Sequence, residues 1–125
     1  MRILLMDDNP DILALLAMMV QRALGPESCQ IISARDGAEG MALLEAGQAP
    51  DLIFTNLRMP HMDGLDFARR VRRNAAWARI PLVVISADQS SRMRQAASDS
   101  GANEFVPKPF DYYAIKTTLS RYYSL

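Results

Sequence analysis

The 125 residues suit one compact domain, and 50% of them are hydrophobic, enough to fill a single core. Lys plus Arg number 14 and Asp plus Glu number 14, so no net field draws the chain onto nucleic acid or an anionic membrane, and any partner must be recognised locally. The longest apolar run, ILALLAMMV, is far short of the roughly 20 residues that span a bilayer. The start, MRILLMDDNPD, meets acids too early for a signal peptide, and the single Cys29 cannot form an internal disulfide. These features predict a soluble cytoplasmic protein with one domain over residues 1–125 and no effector domain.

Five short apolar runs alternate with helical patterns: RILLM, CQIIS, DLIFT, PLVVIS and NEFV. After the first, Asn9 can cap a helix opening on Pro10, with Ile12, Leu16, Met19, Val20 and Ala23 as its apolar stripe and Gly25-Pro26 as its end. The second run, with Cys29, reads as a buried strand. Asp36 and Glu39 then resemble a capping box, with Ala38, Met41 and Ala42 as the inward face and Gly47 as the stop. The third helix begins beside Gly64 and buries Leu65, Ala68 and Val71, while Arg69, Arg70, Arg72 and Arg73 form a solvated face. Trp77 follows as a loop anchor. A fourth helix, from about Met93 to Ser100, stops at Gly101, and a fifth, from about Asp111, carries Ile115, Leu119 and Tyr122 at helical spacing.

Strict strand–helix alternation predicts an α/β fold, a parallel sheet with right-handed crossovers and helices on both faces. In such sheets the site lies at the carboxyl ends of the strands. Asp7 and Asp8 follow the first run, Asn56 the third, Ser86 the fourth and Lys108 the fifth, so all of them converge on one edge. Adjacent carboxylates suit Mg²⁺, which takes one or two of them plus phosphate oxygens. A lysine, a hydroxyl and backbone N–H groups can cradle a phosphoryl group.

Four segments, LLMDDNPD, DLIFTNLRMPHMDG, VVISA and FVPKPF, together resemble the receiver domains of bacterial two-component response regulators, over essentially the whole chain. The resemblance implies the flavodoxin-like strand order 2-1-3-4-5. It implies Asp8 as direct Mg²⁺ ligand, Asp7 acting through water, the Arg58 backbone carbonyl as a further ligand and residue 56 as another. Ser86, Ala87, Leu57 and Lys108 would meet the phosphoryl oxygens. Lys108-Pro109 would be cis, Gly64 would permit a tight turn, and Ser86 with Phe105 would form the switch. Implied partners are a sensor histidine kinase or histidine phosphotransfer protein and a downstream protein target, with no nucleic acid and no membrane.

Asn56 departs from the family pattern, in which that position is the phospho-accepting aspartate. A carboxamide is a neutral acceptor with a poorly nucleophilic nitrogen, so phosphorylation there should fail and Mg²⁺ binding should weaken. The chain therefore reads as a non-enzymatic signalling module, a substituted or lapsed phospho-receiver, with a phosphate-independent pseudo-receiver as the alternative. An enzyme is the rival class. A haloacid-dehalogenase-type phosphohydrolase would place its two acids two residues apart after the first strand, which DDNP does not, and a flavodoxin would need a phosphate loop where these acids stand. His61 is assigned no chemistry, and Tyr112, Tyr113 and Tyr123 are candidates for a partner surface.

Overall fold

The computed structural model describes residues 1–125. The elements run β1 (Arg2–Met6), α1 (Pro10–Leu24), β2 (Gln30–Ala34), α2 (Gly37–Glu45), β3 (Leu52–Asn56), α3 (Gly64–Arg73), β4 (Leu82–Ser86), α4 (Ser91–Asp99), β5 (Glu104–Pro107) and α5 (Tyr112–Ser120). All strands pair in parallel, in the order β2-β1-β3-β4-β5. This is the flavodoxin-like arrangement that the resemblance implied.

Side-chain alternation along the strands divides the core. Ile3 and Leu5 of β1 pack with Leu16 and Val20 of α1 and Ile115 and Leu119 of α5. Leu4 and Met6 face the other way, toward Leu44 of α2, Phe67 and Val71 of α3 and Ala97 of α4. Strands β3 and β4 are likewise apolar on both sides because helices cover both sheet faces. The helices start where short polar side chains accept their first N–H groups. Asn9 Oδ1 accepts from Asp11 N at 2.9 Å and Ile12 N at 3.4 Å, while Asp63, Ser90 and Asp111 cap α3, α4 and α5.

Several sequence expectations are corrected. The CQIIS strand is an edge strand beside β1 alone, with Gln30 and Ser33 exposed, and half-buried Cys29 precedes it. Apolar composition cannot distinguish an edge strand from a central one. In α2 the inward face is Gly37, Gly40 and Leu44, while Ala38 and Ala42 are exposed. A Cβ on Gly40 would collide with the Met6 sulfur and the Phe67 ring, so it is the glycines that let α2 lie close to the sheet. The capping box is displaced too: Asp36 accepts from Glu39 N at 2.8 Å, but Glu39 accepts from Arg35 N at 3.1 Å.

Arg72 does not belong to the solvated arginine face. Its guanidinium donates to the carbonyls of Gly101 (2.9 Å) and Ala78 (3.3 Å) and to Asn103 Oδ1 (2.8 Å), tying α3 to the turns before β4 and β5. Desolvation by burial lowers its pKa. Tyr122 lies just beyond the end of α5 yet packs against the same core cluster as Ile115 and Leu119, and its hydroxyl donates to Glu104 Oε2 at 3.2 Å.

Gly64 is needed for proximity rather than for turn geometry. A Cβ there would strike the Asn56 carbonyl oxygen, while the left-handed residue of this loop is His61, at φ 64°. Gly64→Ala is expected to cost about 2 kcal/mol, because backbone atoms must move apart; chemical denaturation with an unchanged slope would measure it.

Burial, followed by the neighbouring Glu104, raises the Tyr122 pKa above the ordinary tyrosine value. The unfolded chain therefore loses this proton first as pH rises. The associated stability is complete below the unfolded value of about 10 and disappears as pH climbs through the higher folded value. Urea midpoints between about pH 9 and 11 should fall less steeply for Tyr122→Phe than for the parent.

Candidate functional site

The carboxyl ends of β1, β3, β4 and β5 bring together Asp7, Asp8, Asn56, Ser86 and Lys108, as the sequence pattern requires. The strand order reverses between β1 and β3, which opens a crevice at that edge. Asp7 is 3% exposed, whereas Asp8 is exposed. Lys108 reaches back from the end of β5, and its Nζ donates to Asp7 Oδ2 at 3.1 Å and to Asn56 Oδ1 at 3.0 Å. The other Asp7 oxygen accepts the backbone N–H of Asn9 at 2.9 Å.

The amide nitrogen of Asn56 points the opposite way. Nδ2 donates to the Arg58 carbonyl oxygen at 2.9 Å and, in a longer contact of 3.5 Å, to Asp8 Oδ1. Lys108-Pro109 is a cis peptide, as expected. Ser86 is buried, and its Oγ accepts the Asp88 N–H at 3.0 Å. The Leu57 N–H, expected to face a phosphoryl group, is donated to the Ile85 carbonyl at 3.2 Å. Ala87 is exposed at the mouth of the crevice.

Two residues around this edge escaped the sequence reading. Asp88 approaches the Arg58 guanidinium across the crevice at 3.9 Å, and Gln89 Nε2 donates to the Lys108 carbonyl at 3.2 Å. Hydrogen bonds from Ser90 lower the Asp88 pKa, with Arg58 and Arg92 assisting. The DQS run just before a helix is the one local signal for Asp88, since Asp and Ser at that position favour a turn. Phe105 is half-buried, with the Arg94 guanidinium 4.6 Å from its ring centroid. His61 is exposed and Trp77 half-buried against the α2–α3 side of the core.

Of the tyrosines, Tyr113 is 74% exposed, while Tyr112 lies under Arg22, 4.2 Å from its ring centroid. No helix is long and apolar enough to cross a membrane.

Fold and crevice define a class: a doubly wound α/β module that gathers two acids, an amide, a hydroxyl and a lysine at its strand ends. The family model for the response regulator receiver domain matches residues 3–120, and the chain belongs to that family of signalling modules. It is similar to the DNA-binding dual master transcriptional regulator RpaA of Synechocystis, at 36% identity over 88% of this chain and 44% of that protein. It spans only 13% and 12% of two sensor histidine kinases that it matches at 29% identity.

Among solved structures, it superimposes on the chemotaxis response regulator CheY4 of Vibrio cholerae with a TM-score of 0.84, at 26% identity and 96% coverage of both chains. The receiver domain of the sensor histidine kinase PA1611 of Pseudomonas aeruginosa, with a magnesium ion coordinated in its active-site cleft, gives a TM-score of 0.83 at 28% identity. Coverage there is 96% of this chain and 94% of that one.

Lys108 is the cation that holds Asp7 and Asn56 together. Lys108→Met leaves a buried carboxylate without its partner and is expected to cost about 2 kcal/mol, below the 3–5 kcal/mol of fully enclosed pairs because the lysine retains some solvent. Adding Asp7→Asn should recover part of that loss in a double-mutant cycle of denaturation midpoints.

Proposed function

We propose that this chain is the receiver module of a two-component phosphorelay in which Asn56 stands at the phospho-accepting position, so that it takes no phosphoryl group there and acts through protein contacts. The observation that carries this reading is the Lys108 ammonium held jointly by Asn56 Oδ1 and Asp7. In a phospho-receiver, the residue touching that lysine at the end of β3 would be the nucleophile. An aspartate there would attack the phosphorus through a carboxylate oxygen, forming an acyl phosphate as the P–O or P–N bond of the donor breaks. The Asn56 oxygen is instead a neutral acceptor.

Ser86, the Ala87 N–H and Lys108 are proposed to meet phosphoryl oxygens, and the pair Ser86 and Phe105 to report the change. Asp8 would be the principal ligand of Mg²⁺, with Asp7 and the Arg58 carbonyl assisting. The donor set does not suit that ion as it stands, because the Asn56 N–H groups point at both the carbonyl and Asp8. Mg²⁺ binding is therefore weakened. Upstream, the fitting partner is a sensor histidine kinase or a histidine phosphotransfer protein; downstream, a protein target, with neither nucleic acid nor membrane. A phosphate-independent pseudo-receiver is the second reading, supported by the same saturated hydrogen bonding of Asn56.

Intact mass after treatment with acetyl phosphate and Mg²⁺ tests the assignment. Asn56→Asp is expected to gain one phosphoryl group, labile to mild alkali, with a shift in the Phe105 ring resonances; the parent is expected to gain none. A folded aspartate form that stays unmodified would favour the phosphate-independent reading, and modification of the parent at another acid would move the acceptor elsewhere.

A further inference from the structure

The Asn56 carboxamide has only one orientation that satisfies its neighbours. Its Oδ1 lies 3.0 Å from the Lys108 ammonium and its Nδ2 lies 2.9 Å from the Arg58 carbonyl oxygen. Exchanging the two ends would set N–H against N–H at the lysine and oxygen against oxygen at the carbonyl, so two attractive contacts would become two repulsive ones. The lysine in turn is fixed by Asp7, whose second oxygen is held by the Asn9 N–H. The amide nitrogen is consequently locked toward Arg58 O and Asp8 Oδ1.

Those two oxygens are the ones the proposed receiver reading assigns to a divalent cation. We propose that the Asn56 amide N–H groups serve as a fixed internal substitute for that cation, and that Mg²⁺ is kept out by competition with them rather than merely attracted less for want of a charge. This rests on the receiver reading of the site. A neutral residue that simply lacked a ligand would leave Arg58 O and Asp8 open to the ion. Here the Arg58 carbonyl accepts from Nδ2 at 2.9 Å, and Asp8 Oδ1 lies in a longer contact with the same nitrogen at 3.5 Å. Turning the amide to offer Oδ1 to a metal would direct Nδ2 at the Lys108 ammonium, so the cation cannot recruit Asn56 without breaking the lysine contact as well. The strand-end cluster thus holds together with no ion.

Truncation separates competition from loss of a ligand. Calorimetric titration with MgCl₂ should place Asn56→Ala about fivefold tighter than the parent, the equivalent of one net hydrogen bond no longer broken on binding. Asn56→Asp should be tighter still. If Asn56→Ala binds Mg²⁺ equally or less well than the parent while Asn56→Asp gains, the competing amide is wrong and the receiver site stands. If neither gains, there is no cation position to block and both readings fall. A measurement on the unaltered chain guards against an ill-folded alanine form. As Mg²⁺ binds the parent, its Asn56 side-chain NH₂ signals should shift together with the Asp8 amide signal, because the ion must break the amide contacts; saturable shifts at Asp8 that leave the Asn56 NH₂ signals in place would overturn the proposal.

Discussion

Burial of β1, β3 and β4 on both faces is the constraint from which the rest of the molecule follows. A strand enclosed by helices above and below admits a polar side chain only where it is hydrogen-bonded, as Thr55 is to the Asn56 carbonyl, and the side chains from Ile3 to Met6 and from Leu52 to Phe54 are sealed from solvent. Polar chemistry is thereby pushed to the first positions where the chain leaves the sheet. In a parallel sheet all those exits for one end lie along a single edge. Asp7, Asn56, Ser86 and Lys108 gather because each stands at or just past the carboxyl end of one of four adjacent strands. One cation then serves two strands, since Lys108 meets both Asp7 and Asn56.

The loops around this edge are joined to one another rather than standing separately. Asp88 holds the Ser86 hydroxyl through its N–H and faces Arg58 across the crevice, and Gln89 is bonded to the Lys108 carbonyl. These contacts lie at different depths. The lysine cluster is partly buried and so is weakly screened, whereas the Arg58–Asp88 pair is exposed and contributes little to stability.

Close approach at three glycines shapes the packing around that edge. Gly64 lies against the Asn56 carbonyl, Gly37 against Met62 and Gly40 against Met6 and Phe67, each without room for a Cβ. The start of α3 is therefore held directly to the end of β3, and α2 is pressed onto the sheet beside it. At the other end of α3, Arg72 anchors the helix by donating to two carbonyl groups and Asn103. Helix α3 is consequently fixed at both ends.

The sequence by itself determined the element order, the parallel sheet and the convergence of Asp7, Asp8, Asn56, Ser86 and Lys108, because hydrophobic alternation and chain direction dictate where strands end. Its capping residues Asn9 and Asp36 were also legible, since they act on N–H groups two or three positions away. What lay beyond local pattern was decided only by tertiary structure. The exposure of β2 follows from its place at the sheet edge, and the inward face of α2 from the packing of Gly40 on residues distant in sequence. Arg72 left its charged face because partners 29 and 31 positions away could satisfy its guanidinium. The direction of the Asn56 amide was likewise invisible in the chain. It is set by an ammonium 52 positions later, whose demand for an acceptor leaves the nitrogen no other way to point.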